Sequence, residues 1–225
     1  TPDLIDVSDS GLSHTDNITN ITAPAFTVAL DGTVAVGDTV QLLLGGSPLT
    51  HAVTKVISFA DLSAGSVTLT VTASDLGTDG IKSISAKFTD LAGNTSTTSA
   101  LVVTVDTVAP AASLAVNDIT ADNILNTAEA GSTVAVTGTV GGDVHDGDAV
   151  TLTVNGTAYT GTVSGTSFSI DVAGSDLASD ADHTVDASVT TTDAAGNANT
   201  ATTTKLYTVD TVAPAASLAV NDITA

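Results

Sequence analysis

The chain has 225 residues, with 25 acidic side chains against four lysines and a formal charge of −21. That balance excludes nucleic-acid binding, which needs clustered Lys and Arg against phosphate, and the absence of cysteine excludes a disulfide framework, a thiolate metal site and a thiol nucleophile. With 42% apolar residues and a mean hydropathy of +0.36 it does not have the composition of a disordered acidic tail, so it should fold and should attract cations.

Residues 104–121 read TVDTVAPAASLAVNDITA, and residues 208–225 repeat them without a change at an offset of 104 residues. Such identity marks a tandem array. It divides the chain into a first unit over 1–106, a second over 107–210, and a truncated start of a third over 211–225. The first unit is a divergent copy of the second. In order, TDNITN (15–20) matches ADNILN (121–126), GDTVQLLLGG (37–46) matches GDAVTLTVNG (147–156), ASDLGTDG (73–80) matches GSDLASDA (174–181), and TDLAGN (89–94) matches TDAAGN (192–197).

In the second unit, Thr and Ser alternate with Val, Leu and Ile in short runs, and helix formers are scarce. This pattern predicts strands near 111–116, 133–140, 149–154, 157–163, 167–173, 184–191 and 200–208. Asn155-Gly156 is a type I′ hairpin signal, and Ser164-Gly165-Thr166 and Ala194-Ala195-Gly196-Asn197 supply further turns. Seven short strands in a unit of this size predict an all-β fold of tandem immunoglobulin-like β-sandwiches, with a core of Val, Ala, Leu and Ile because aromatics are only 3%. The stub should contribute one strand near 215–220. No run reaches the roughly 18 apolar residues of a membrane span. The first residues lack the basic and apolar regions of a signal peptide, so targeting is encoded elsewhere or the sequence is a piece of something longer.

Successive loops of such a sandwich alternate between its two ends. In the second unit the leading end collects Asp106, the loop carrying Asp143, Asp146 and Asp148, and the turn from Asp193 to Asn197. The trailing end collects Asp118, Asp122, Asn126, Asp176, Asp180 and Asp182, matched in the first unit by Asp9, Asp16, Asn17, Asn20, Asp75 and Asp79. End-to-end stacking would concentrate this charge at joints marked by Asp106 and Asp210. Two carboxylates about 4 Å apart repel by roughly 1 kcal/mol in water, and more when partly buried. Lys55, Lys82, Lys87 and Lys205 are too few to neutralise the loops. Ca2+ suits them, because it takes six to eight oxygen ligands in flexible geometry. Zn2+ suits them less, since only His14, His51, His145 and His183 are available. Each aspartate also has a plainer reading, as a turn residue capping its own backbone. No loop has EF-hand spacing. Asp143-x-His145-Asp146-x-Asp148 reads as a glycine-flanked turn with an incidental His, and Ser13-His14 has no nucleophile-elbow context, so no catalyst is expected.

The segment TPDLIDVSDSGLSHTDNITN, the VDTVAP joints and the TDLAGN and TDAAGN turns resemble the bacterial immunoglobulin-like repeats of giant surface adhesins, including the RTX type of Gram-negative bacteria. The 104-residue period, with NDITADNILNTAEAGSTVAVTGTV, is similar to the extender repeats of ice-binding adhesins. The resemblance covers essentially the whole chain and is stronger over 107–225. It implies a calcium-rigidified, monomeric rod at the bacterial cell surface, folded after export, whose partners are neighbouring repeats and whose role is to project a distal binding domain. It also implies that Asp106, Asp210, Asp90 and Asp193 belong to calcium-linked motifs. The nonapeptide pattern of RTX β-rolls and rows of short Thr motifs suited to ice are absent from this sequence, so neither property is carried over. The alternative is an adhesive module whose sandwich itself binds a glycan or protein.

Overall fold

Thr and Val alternation places one side chain in a core and the next in solvent, and a computed structural model, which describes residues 1–219, shows that pattern realised as β-sheets with few helices. The chain forms two compact units, Thr1–Ala109 with Thr192–Ala198, and Pro110–Thr191 with the segment from Asn199 onward. The first unit runs β1 (Pro2–Leu4), β2 (Ile18–Thr19), β3 (Ala25–Ala29), β4 (Thr39–Leu44), β5 (Ser47–Pro48), β6 (Thr54–Val56), α1 (Phe59–Ala64), β7 (Ser66–Thr70), β8 (Gly80–Thr89), β9 (Thr95–Thr97) and β10 (Leu101–Val105). One sheet has the order β1-β3-β7. The other has the order β2-β10-β8-β4-β5, with β6 added on β4 and β9 on β8. Phe26, Val28, Val40, Leu42, Leu69 and Ile84 form the heart of the core between them.

The second unit runs β11 (Ala112–Val116), β12 (Ile124–Asn126), α2 (Thr127–Ala130), β13 (Thr133–Gly142), β14 (Ala149–Val154), β15 (Thr157–Thr162), β16 (Ser167–Ala173), α3 (Gly174–Ser179), β17 (Thr184–Thr192), β18 (Ala198–Leu206) and β19 (Thr208–Asp210). Its sheets are β11-β13-β16 and β15-β14-β17-β18, joined by a parallel β12-β19 pair. Val136, Val150, Leu152, Phe168, Val172 and Val189 are buried between the sheets. Asn155 and Gly156 both take positive φ, 48° and 74°, as a type I′ turn requires.

Three features depart from the expected strands. Three short helices appear among the described residues, two of them after capping boxes: in α1 the Ser58 side chain accepts from the Asp61 N–H while the Asp61 carboxylate accepts from the Ser58 N–H, and Asn126 and Glu129 do the same for α2. The Lys55 ammonium, 2.6 Å from Asp61, and the Ser58 donors lower the Asp61 pKa to about 2. The run expected over 200–208 is split at Tyr207, whose buried hydroxyl donates to the Leu177 carbonyl at 2.7 Å and to Asp180 at 3.3 Å. Residues 211–219 form no strand, and position 220 of the strand expected near 215–220 lies outside the described residues. Among the described residues no helix is long and apolar enough to cross a membrane.

The two units share one local device. Asn17 and Asn123 both stand at φ 60°. Their carbonyls accept from the N–H groups of Thr104 at 2.8 Å and Thr208 at 3.1 Å, starting the parallel β2-β10 and β12-β19 pairs.

The Tyr207 bonds lock the edge of the second core. Tyr207→Phe is expected to cost that unit about 1–2 kcal/mol in urea denaturation; an unchanged midpoint would show that the hydroxyl carries no stability.

Candidate metal centre at the ends of the sandwiches

Most loop carboxylates are occupied by donors of their own loop. Asp90 Oδ1 accepts from the Ala92 and Asn94 N–H groups at 2.9 and 2.8 Å, and its Oδ2 from the Asn94 amide at 2.7 Å. Asp193 is bonded in the same way to Asn197, at 2.9 Å from both backbone and side chain. The Asn94 donors accordingly hold the Asp90 pKa below the ordinary value. Asp16, Asp106, Asp122 and Asp210 each accept from the N–H two residues ahead, at 3.0–3.1 Å, the pattern of an Asx-turn. Asp79 takes the Thr107 N–H, Asp143 the Ala111 N–H, and Asp146 the Gly165 N–H.

The remaining predicted ligands meet side chains. Asp75 lies 2.8 Å from His51 Nδ1, Asp118 lies 2.5 Å from Lys205 Nζ, and Asp176 accepts from the Tyr159 hydroxyl at 2.5 Å. Asp180 is buried and accepts from the Thr184 N–H at 3.1 Å. Among the described residues, no three His, Asp or Glu side chains converge closely enough to hold a metal by themselves. A hard cation here would therefore draw on backbone carbonyls and water as well as carboxylates.

Asp9 differs from all of these. It is 1% exposed, and its Oδ1 is the one buried side-chain oxygen or nitrogen without a hydrogen-bond partner among the described residues. Residues 5–20 wrap around it. Its Oδ2 accepts from the Asn17 N–H at 3.2 Å, its own N–H donates to the Ile5 carbonyl at 3.0 Å, and its carbonyl lies 2.6 Å from His14 Nδ1. The Thr19 hydroxyl donates to the Ser8 carbonyl at 2.6 Å and anchors the wrap to β2. Burial, reinforced by the charge of Asp16 beside it, raises the Asp9 pKa against the opposing Asn17 hydrogen bond. A buried carboxylate oxygen with a like charge alongside and no donor of its own suits a divalent cation. The sequence named Asp9 and Asp16 as ligands but gave no such role to Ser8, His14 or Thr19, which shape the loop.

A family model for bacterial Ig-like domains matches residues 1–107. The chain belongs to the bacterial Ig-like domains. It is similar to a solved Ca2+-stabilized adhesin that helps an Antarctic bacterium reach out and bind ice, at 37% identity over 96% of this chain and 49% of that one, with a TM-score of 0.69. It is similar to part of a 1.5-MDa bacterial ice-binding adhesin studied for host cell surface retention, at 37% identity over 90% of this chain and 63% of that one, with a TM-score of 0.66. A bacterial immunoglobulin-like domain of the M. primoryensis ice-binding adhesin is 51% identical over 45% of this chain and all of its own length, at a TM-score of 0.43. The chain thus spans about half of the first of these structures and under two thirds of the second. No protein with a curated function matches it.

The sign of the Asp9 shift gives a prediction for this Ig-like unit. A raised folded-state pKa means that folding binds a proton more tightly, so stability from this group is present below the ordinary value of 3.8 and is lost as pH rises through the folded pKa. In chelator at pH 7, Asp9→Asn should raise the melting temperature of the first unit by a few degrees, a gain that shrinks as pH falls to about 4. A lower melting temperature for the variant in chelator would contradict this reading.

Proposed function

We propose that the chain is a structural extender segment of a bacterial cell-surface adhesin, stiffened by Ca2+ at the loop ends of its Ig-like units, which holds a distal binding domain away from the cell. The observation that carries this reading is the unpartnered, buried Asp9 Oδ1 beside Asp16. Similarity to a Ca2+-stabilized adhesin, at 37% identity, supports the same reading. Bound Ca2+ would supply the positive charge that this loop lacks, with Asp9 and Asp16 as its carboxylate ligands. The other aspartates named from the sequence would add charge at the same ends, their oxygens already engaged by local donors.

The role of the chain's residues is mechanical. Asp9 sits in the loop that joins β1 to β2, and β2 pairs with β10, the last strand of its unit. A cation drawing residues 5–17 together would fix the start of β2, and through it the end of β10 and the segment that leaves it. The alternation of units at a 104-residue period suits a spacer whose output is length. An extracellular calcium module binds at roughly 10⁻⁴–10⁻³ M, so such a site would be empty in a low-calcium cytosol and filled outside. The proposed location is therefore the cell exterior, and the proposed partners are neighbouring repeats of the same chain.

Millimolar Ca2+ is expected to raise the melting temperature of the whole chain and to narrow the distribution of dimensions seen by small-angle scattering, and chelation should reverse both. Asp9→Asn should remove most of the thermal gain. Melting curves and scattering profiles indifferent to calcium would refute the proposal.

A further inference from the structure

Strand β13 is ten residues long, but β11 covers only its C-terminal half, where Ala112–Val116 pair with Gly142–Gly138. The last bond of this ladder runs from the Asn117 N–H to the Thr137 carbonyl at 2.9 Å, and the Asn117 side-chain amide donates to the Thr137 hydroxyl at 3.0 Å. There the chain leaves β13 and crosses to β12. Along a strand the N–H and C=O of one residue point to the same side, and successive residues alternate. Val134 and Val136 face their partners Val172 and Ile170 on β16. Thr133 and Ala135 share the direction of Thr137, toward the side that β11 has left, and no described residue pairs with either of them there.

This open edge borders a groove of about 780 Å³ in the second unit. Its apolar wall includes the buried Ile119 and Val134, and its polar margin includes Asp118, Glu129 and Lys205. The Lys205 ammonium is already neutralised by Asp118 at 2.5 Å. Glu129 uses Oε2 to accept the Asn126 N–H, leaving Oε1 without a hydrogen-bond partner among the described contacts. The margin therefore keeps a net negative charge on a chain whose formal charge is −21.

The first unit closes the same place. There β1 follows β3 to its first residues, with Leu4 opposite Phe26 and the Ile5 N–H donating to the Ala25 carbonyl at 3.2 Å. The Ala25 N–H is in turn taken by the Ser8 hydroxyl at 3.0 Å. The longer loop of the first unit seals its edge, and the shorter one of the second does not.

We propose that the open half of β13 is a strand-addition site for an extended, basic segment of another polypeptide, which lies antiparallel to β13 in line with β11. Its backbone exchanges hydrogen bonds with Thr133 and Ala135, one donor and one acceptor at each. Alternate side chains of the guest rest on Ile119 and Val134, and the others carry positive charge to Glu129. A second copy of this chain is a poor guest because it brings the same large negative charge. Two paired residues give a weak, reversible association, with a Kd of order 10⁻³ to 10⁻⁴ M.

The test is an amide-resolved NMR titration of the whole chain with an end-blocked hexapeptide alternating Lys and Val. The Thr133 and Ala135 amides should exchange rapidly in the free chain. On saturation they should shift and exchange at least about tenfold more slowly. Glu129→Gln, which keeps an acceptor for the Asn126 N–H, should weaken binding about threefold. Three results would each overturn the proposal: no shift at these two amides at millimolar peptide, equal binding of a Lys-Val peptide N-methylated at alternate residues, or equal binding of a Glu-Val peptide.

Discussion

A chain with 25 carboxylates and four lysines cannot settle its charge by ion pairing, and its folding depends on the hydrogen bond from backbone N–H to carboxylate. The repeated TDxAGN turns, the Asx-turns at Asp16, Asp106, Asp122 and Asp210, and the capping box at Asp61 all use it. Each satisfies donors that a loop would otherwise leave bare, and at Asp61, Asp90 and Asp122 these bonds hold the carboxyl pKa below its ordinary value. Two of the four lysines form ion pairs at single points, Lys55 with Asp61 and Lys205 with Asp118.

Asp9 is the exception to this arrangement. Its Oδ2 has the same kind of backbone partner as the others, the Asn17 N–H, but its Oδ1 is enclosed by residues 5–20 with nothing to meet it. Leaving such an oxygen unsatisfied costs about 1–3 kcal/mol, more when the group is charged. The proposed calcium-stabilised extender would explain why the sequence retains that cost: the deficit would make the loop's order contingent on a cation that is abundant outside the cell.

Much of the sandwich was legible because Thr and Val alternation reports burial directly. Six of the seven strands expected in the second unit, and the Asn155-Gly156 turn, stand where the alternation and turn chemistry put them; the seventh is split at Tyr207. The short helices were not legible, because four to six residues are too few for a 3.6 period; α1 and α2 are fixed instead by the Ser58-Asp61 and Asn126-Glu129 boxes. Nor was the β12-β19 pair, which rests on a contact between segments over 80 residues apart in sequence. At the candidate site, the sequence located the acidic loops but treated their aspartates alike. Asp9 and Asp90 are both turn-loop aspartates in sequence, and only the wrap of residues 5–20 buries the first while the second stays exposed and locally bonded.

The two units solve the crossing from one sheet to the other differently. The first uses a long loop that buries Asp9 and seals β3, and the second uses a short loop, an Asp118-Lys205 pair and an open edge on β13. One fold thus carries a buried, unpartnered carboxylate oxygen in one unit and an unsealed edge with a net negative margin in the other. The central claim, that Asp9 Oδ1 meets a calcium ion, is tested most directly by a crystal structure grown in millimolar Ca2+ with anomalous scattering recorded. The account predicts an anomalous peak about 2.3–2.6 Å from Asp9 Oδ1, with Asp16 among its other oxygen ligands. An Asp9 carboxyl that is instead protonated and bonded to Asp16, with no peak beside it, would contradict the account.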